Sequence, residues 1–239
     1  MIRLKSVIDF HSHVLPEMDD GSASVDMSIA MLQMMAQQGI THVVATPHFY
    51  PSRDDPERFL LRRKRSEEKL RLAMEKHPEL PQLLVGAEVY YFRGMSHSEA
   101  LPLLTIDEKA CIMIEMPHSL WQESIYRELQ QVRSNFGLTP VIAHIDRYIR
   151  PGRNKALWER LAQLPVMVQA NAEFFLRKAT AGMAVRMTKA GAIHLLGSDC
   201  HDLSSRKPNL GAALQVLQNR AGEDVLQQIQ RYGQDLLKG

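Results

Sequence analysis

Short, unbroken apolar runs alternate along this chain with longer stretches whose apolar positions recur at helical spacing. The runs are Ser6–Phe10, Thr41–Thr46, Leu83–Val89, Ala110–Met116, Pro140–His144, Pro165–Ala170 and Ala192–Gly197. Rich in Val, Ile and Leu and mostly without alternation, they predict strands buried on both faces. Val25–Gln38 has a helical stripe of Val25, Ile29, Met31, Leu32 and Met35, with Ser24 as N-cap and Gly39 as the stop. Met31, Met34 and Met35 read as core packing, not as a metal site. Glu57–Lys76 follows Asp55-Pro56, a cap with proline at the first helical position. Trp121–Phe136, Lys155–Gln163, Ala179–Ala190, Asn209–Arg220 and Glu223–Leu237 complete the predicted helices. Strand then helix, seven times over, predicts a parallel α/β fold. Polar residues follow almost every strand. That favours a closed (β/α)7 barrel over an open doubly wound sheet, because a barrel builds its site from several strand ends and an open sheet from one switch point.

The 239 residues suit one domain spanning 1–239. With 45% hydrophobic and 23% charged residues, the composition argues against a disordered, collagen-like or disulfide-stapled chain. Lys and Arg total 29 against 27 Asp and Glu, a net charge of +2 that gives no bulk attraction for nucleic acid or membrane. No run approaches the roughly 18 apolar residues of a membrane span. Met1–Phe10 lacks the pattern of a signal peptide, and the two cysteines, Cys111 and Cys200, make no framework. The expectation is a cytoplasmic, reduced protein.

The histidines change this plain picture. His11 and His13 follow the first strand, two residues apart, so on extended backbone both imidazoles project to one side. Asp19 and Asp20 lie in the next loop, beside Gly21. His48 follows strand two, Glu88 ends strand three, Glu115 strand four and His144 strand five; Asp199 and His201 follow strand seven. Taking Asp20 rather than Asp19, nine nitrogen and oxygen donors gather at strand ends: His11, His13, Asp20, His48, Glu88, Glu115, His144, Asp199 and His201. The mixture suits Mn²⁺, Fe²⁺ or Zn²⁺. Nine donors exceed the needs of one ion and suggest two or three sharing carboxylates, an arrangement that generates hydroxide near neutral pH and clamps both oxygens of a phosphoryl transfer. Asp9 is a candidate for orienting a ligand imidazole, and His118 and Asn171 for lining the site. His42 and His194 sit at the opposite strand ends and read as structural; His77 and His97 read as surface.

Arg147 and Arg206 would match a phosphate bidentately near such a cluster; the alternatives are salt bridges to Asp146 and Asp202. Arg150, Arg153 and Lys155 extend the positive charge, as a preference for acidic substrate or simply as a solvated loop. Phe49–Asp55 and Tyr148–Lys155 are candidate substrate loops. Cys200 to Arg206 also fits the Cys-x5-Arg spacing of cysteine-dependent phosphatases. It lacks an intervening glycine, and Asp199 and Asp202 would disfavour both thiolate and bound dianion, so the match reads as coincidence.

Taken together, Ile8–His13, Asp19–Gly21, Ala45–His48, Gly86–Tyr91, Ile114-Glu115, Val141–Tyr148, Ser198–His201 and the Ser205–Pro208 region resemble the polymerase-and-histidinol-phosphatase (PHP) superfamily. Within it the chain resembles the manganese-dependent protein-tyrosine phosphatases of bacterial capsule loci. The resemblance implies a distorted (β/α)7 barrel and three metal ions. The first would be held by His11, His13, Glu88 and Asp199, the second by Glu88, Glu115 and His144, and the third by Asp20, His48 and His201. Arg147 and Arg206 match the family's phosphate-binding arginines, while Asp146 stands where the family usually has Glu. The implied substrate is phosphotyrosine on the tail of a tyrosine autokinase controlling capsule or exopolysaccharide export. A small phosphate ester such as histidinol phosphate, phosphodiester cleavage, and a catalytically silent phosphotyrosine-binding protein remain as alternatives.

Overall fold

A computed structural model of the chain describes residues 6–149 and 154–238. Among the described residues nine parallel strands pair in the orders β1-β2-β4 and β3-β5-β6-β7-β8-β9. They are β1 (Ile8–Ser12), β2 (His42–Ala45), β3 (His48–Phe49), β4 (Gln82–Val85), β5 (Glu88–Tyr90), β6 (Cys111–Glu115), β7 (Thr139–Ile142), β8 (Met167–Asn171) and β9 (Leu195–Gly197). Since β3 continues β2 and β5 continues β4, the nine segments trace seven strand paths in one curled sheet. The predicted strand Leu83–Val89 is thus broken in the middle, and the predicted strand Thr41–Thr46 resumes past its expected end as β3. Between β2 and β3, Pro47 has no N–H to give the ladder. Between β4 and β5, Gly86 lies where a Cβ would stand 2.8 Å from Ile106 Cγ1.

The sheet closes between its first and last strands. The Asp199 N–H donates to the His11 carbonyl (2.8 Å), and the His13 N–H to the Cys200 carbonyl (2.9 Å). Beneath this seam the buried Asp9 carboxylate accepts the N–H groups of His11 (3.2 Å) and Ser198 (2.8 Å). Asp9 therefore fastens β1 to the end of β9 and does not orient a ligand imidazole as its position in sequence suggests.

Eight helices accompany the strands among the described residues: α1 (Val25–Gln37), α2 (Pro56–Met74), α3 (Glu123–Phe136), α4 (Asn154–Leu161), α5 (Ala172–Leu176), α6 (Ala181–Lys189), α7 (Leu210–Ala221) and α8 (Glu223–Lys238). Ser24 caps α1 by accepting the Met27 N–H, and Asp55 caps α2 by accepting the Arg58 N–H, as their sequences predict. The strict alternation fails at two places. After β5 the chain makes only two short 3-10 turns, Met95–His97 and Leu101–Leu104, around a left-handed Gly94. After β8 it inserts the short α5, whose five residues are too few to leave a helical period in the sequence.

Two apolar layers result. Outward-facing strand residues pack against α1 to α7 in the larger core. Inward-facing residues, among them Phe10, Val44, Leu84, Met113, Val141 and Leu195, fill the barrel. The amphipathic α8 closes the N-terminal end with Leu236, and Gly233 lets it approach, since a Cβ there would stand 2.5 Å from Phe10 Cε2. Side chains alternate along a strand. The face that carries Val44 therefore carries His48 four residues on, and Leu84 leads in the same way to Glu88, Met113 to Glu115, and Leu195 to Asp199. The apolar plug thus becomes a polar layer at the C-terminal mouth, where barrel sites are built.

Candidate metal centre

All nine predicted donors meet in this mouth. β1 would point His11 away from the barrel interior, because Phe10 points in. The pairing of β1 with β2 shifts register between Asp9 and Ser12, and this irregularity turns both His11 and His13 toward the mouth. Gly197 makes room, since a Cβ there would stand 2.5 Å from His11 Cβ. His11 Nε2 lies 3.2 Å from His13 Nε2 and 3.1 Å from Glu88 Oε2, and Asp199 Oδ1 lies 3.6 and 3.5 Å from the two imidazole nitrogens. His144 Nε2 is 2.6 Å from Glu88 Oε1 and 3.7 Å from Glu115 Oε1. His48 Nε2 and His201 Nε2 each stand 3.5 Å from Asp20 Oδ1. Three groups have donor atoms close enough for one ion each: His13, Asp20, His48 and His201; His11, His13 and Glu88; and His48, Glu88 and Glu115. They share His13, His48 and Glu88, as a multinuclear site would.

The electrostatics suit cations. Burial works to raise the pKa of Glu88 and Asp199, but the surrounding imidazoles, His11 foremost, hold both well below the usual carboxylate range. Glu115 is instead pushed up, by burial and then by the like charge of Glu88. Burial, and then His13, depress His201 to about 4. Its Nδ1 lies 3.0 Å from the Asp199 carbonyl; its buried Nε2 and the His48 Nδ1 make no aligned hydrogen bond among the described residues, with Glu88 Oε2 3.0 Å from His48 Nδ1. A buried lone pair left over in a ring of carboxylates is what a metal ligand requires. The donor set therefore fits divalent ions.

Arg147 and Arg206 close one side. The Arg147 guanidinium pairs with Asp199 Oδ2, and its Nη1 is 3.7 Å from Glu115. Arg206 Nη2 donates to Asp199 Oδ1 at 2.9 Å. Neither makes the alternative salt bridge: the Asp146 carboxylate accepts the Asn171 N–H, and Asp202 accepts the Arg206 backbone N–H. Asn171 does reach the site, donating from Nδ2 to Asp199 Oδ2 at 2.8 Å. His144 and Asp199 both hold positive φ, 33° and 52°, a strained backbone of the kind that gathers at functional sites.

The family model for capsular polysaccharide synthesis, CpsB/CapC, matches residues 7–237. The chain belongs to the CpsB/CapC family. Tyrosine-protein phosphatase YwqE of Bacillus subtilis is 28% identical over 232 residues, covering 92% of this chain and 87% of YwqE. Tyrosine-protein phosphatase CpsB of Streptococcus pneumoniae is 28% identical over 234 residues, covering 90% of this chain and 91% of CpsB. Among solved structures, a chain from the work on B. subtilis YwqE and S. pneumoniae CpsB, called unique metal-dependent tyrosine phosphatases, superposes with a TM-score of 0.85 at 24% identity. It covers 97% of this chain and 94% of its own, and it bears out the barrel.

In this CpsB/CapC chain the residues that steady the donors were the ones hidden from the sequence. His13 Nδ1 is 2.7 Å from Asp19, which also accepts the N–H groups of His48 and Gly21. Gln169, wholly buried, places Oε1 3.3 Å from His11 Nδ1 and accepts the His144 N–H at 2.6 Å. Tyr148 sets its hydroxyl 3.4 Å from His144 Nδ1. An Asp beside the chosen Asp20, and a Gln inside an apolar strand, carry no signal of their own. His118 does not join the cluster: it is exposed, with its ring 5.8 Å from that of Tyr148. His42 bonds Ser6 and Thr41, His194 accepts the Val168 N–H, His77 pairs with Glu79, and His97 is exposed. Cys200 is fully buried, and burial with Asp9 pushes its thiol up, so the Cys-x5-Arg spacing is coincidence. Arg150 and Arg153 lie outside the described residues, as does the Lys155 side chain.

Proposed function

We propose that this chain is a metal-dependent protein-tyrosine phosphatase hydrolysing phosphotyrosine monoesters, with Mn²⁺ as its ion. The observation that carries the reading is one cleft in which three overlapping donor groups face two arginines converging on Asp199. The names of its relatives support the activity, and the donors admit Fe or Zn as well. His11, His13, Glu88 and Asp199 would hold one ion, Glu88, Glu115 and His144 a second, and Asp20, His48 and His201 a third. Such ions supply Lewis acidity toward phosphoryl oxygens and an activated water near neutral pH.

The chain's own groups do the positioning. Arg147 and Arg206 face the cleft with planar donor forks and hold phosphoryl oxygens through charge-assisted hydrogen bonds that strengthen as charge develops. Asp199 keeps both guanidiniums aimed. Asp19 and Gln169 fix the rings of His13 and His11. A tyrosyl leaving group departs with a pKa near 10, so it needs less proton assistance than an alcohol. No side chain has to form a phosphoenzyme, and the raised Cys200 thiol offers none. The substrate we assign is a phosphotyrosine tail of a tyrosine autokinase in capsule or exopolysaccharide synthesis, met in the cytoplasm. The buried, unpaired cysteines accord with that compartment. No helix among the described residues is long and apolar enough to cross a membrane.

The test is phosphate release from a phosphotyrosyl peptide after chelation and after Mn²⁺ is restored, with wild type and Cys200→Ser in parallel. The expected result is loss on chelation, recovery with Mn²⁺ and full activity in Cys200→Ser. Activity indifferent to chelator but abolished in Cys200→Ser would overturn the metal reading.

A further inference from the structure

The polar layer at the barrel mouth is not the last. β3 and β5 pair in register, His48 opposite Glu88 and Phe49 opposite Val89. Continuing the period of two places Tyr50 and Tyr90 on the same face, one step beyond His48 and Glu88. The rings bear this out: Tyr50 stacks on His48 at 5.1 Å with 29° between planes, and Tyr90 lies 5.9 Å from Tyr50. Both rings are half-buried.

The turn that carries Tyr50 is held firmly. Its N–H donates to the Asp54 carboxylate at 2.8 Å, and its carbonyl accepts the N–H groups of Arg53 and Asp54. The Arg53 guanidinium rests 5.1 Å from the Tyr50 ring centre. The result is a fixed aromatic wall next to the donors on the β3–β5 side, while the arginines come from the segments that follow β7 and β9.

We propose that Tyr50 and Tyr90 form the subsite for the substrate's aromatic ring and set a preference for aryl over alkyl phosphate monoesters. The proposal rests on the phosphatase reading above. With the phosphoryl group between the donors and the arginines, the ring of a phosphotyrosine extends toward this wall. Aromatic pairing adds to simple burial there. The single carbon of a phosphoserine is too short to make the contact.

The experiment compares kcat/KM on phosphotyrosyl and phosphoseryl peptides of one sequence, with Mn²⁺, for wild type, Tyr50→Phe, Tyr50→Ala and Tyr90→Ala. Each alanine variant should lower the phosphotyrosyl-to-phosphoseryl ratio about three- to tenfold, mostly through KM, and Tyr50→Phe should keep it. If Tyr50 only steadies His48, both substrates fall together and the constant ratio overturns the proposal. A parallel arm measures Kd by calorimetry for peptides bearing an aryl phosphonate or an alkyl phosphonate. Should wild type hydrolyse neither substrate, the phosphatase reading fails. The subsite then stands if both alanine variants lose a wild-type preference for the aryl phosphonate, and falls if wild type shows none.

Discussion

Asp199 takes an arginine on each carboxylate oxygen, with a third donor from Asn171. That convergence gives Arg147 and Arg206 a common aim toward the cleft. Arg147→Ala and Arg206→Ala should each lower kcat/KM for a phosphotyrosyl peptide by about 10²–10³, the scale for removing one preorganised donor at developing charge. Metal content, read by elemental analysis of the same preparations, should hold. An unchanged kcat/KM would remove the role assigned to that arginine. Gln169 acts one step further out, and Gln169→Leu takes away the acceptor near His11 Nδ1 and for the His144 N–H. Its loss should weaken Mn²⁺ about 10–100-fold in a competition titration, the usual effect of removing a partner behind a ligand. Asp20 was readable from its loop, whereas Asp19 and Gln169 were not. A donor type at a strand end marks chemistry, but a residue that orients another is defined only by whom it touches.

The seam between β1 and β9 is the critical element contact, since it joins the strand carrying His11 to the segment carrying Asp199. Gly197 allows it: an added Cβ would meet His11 Cβ at 2.5 Å and the His11 backbone nitrogen at 2.8 Å, neither of which is a flexible side-chain end. Gly197→Ala should therefore destabilise by about 3 kcal/mol, the upper part of the overpacking range. The urea midpoint reports it, and a midpoint within error of wild type would show that the seam can yield. The strands and the caps of α1 and α2 were legible, because burial, Ser24 and the Asp55-Pro56 pair each leave a local trace. The resumption of strand two past Pro47 as β3 and the break of strand three at Gly86 were not. They follow from how the ladder and the Ile106 segment pack, which no window of sequence contains.

For the molecule as a whole, a crowd of buried imidazoles and carboxylates couples folding to cations and to protons. Ligands that bind only the folded state stabilise it by mass action, about 2.7 kcal/mol for each ion at a hundredfold excess over Kd. For a chain of this size that is roughly 5–10 °C of Tm per ion, so a chelator should lower Tm by at least that much, with recovery on adding Mn²⁺. An unmoved Tm would argue against ion binding in the fold. His194, remote from the cluster, gives a proton-linked prediction. Its Nδ1 accepts the Val168 N–H and its ring packs against Tyr232, and burial lowers its pKa below the usual 6.5. The unfolded chain takes up that proton first, so this contribution is whole above pH 6.5 and is lost as pH falls from there toward the depressed value. In chelator, the drop in urea midpoint between pH 7.5 and 5.5 should be smaller in His194→Asn than in wild type. An equal drop would assign the acid sensitivity to other groups.

The sequence by itself determined the parallel strands, most helices, the barrel class and which nine side chains come together. It could do so because period and strand-end position are properties of a residue and its near neighbours. Tertiary structure decided that seven of the nine fall into three overlapping groups, that Asp9 ties the seam, that Asp19 and Gln169 hold the imidazoles, and that Asp199 gathers both arginines. Each of these is a contact between segments far apart in the chain, set by barrel curvature and strand register, and such contacts exist only once the sheet has closed.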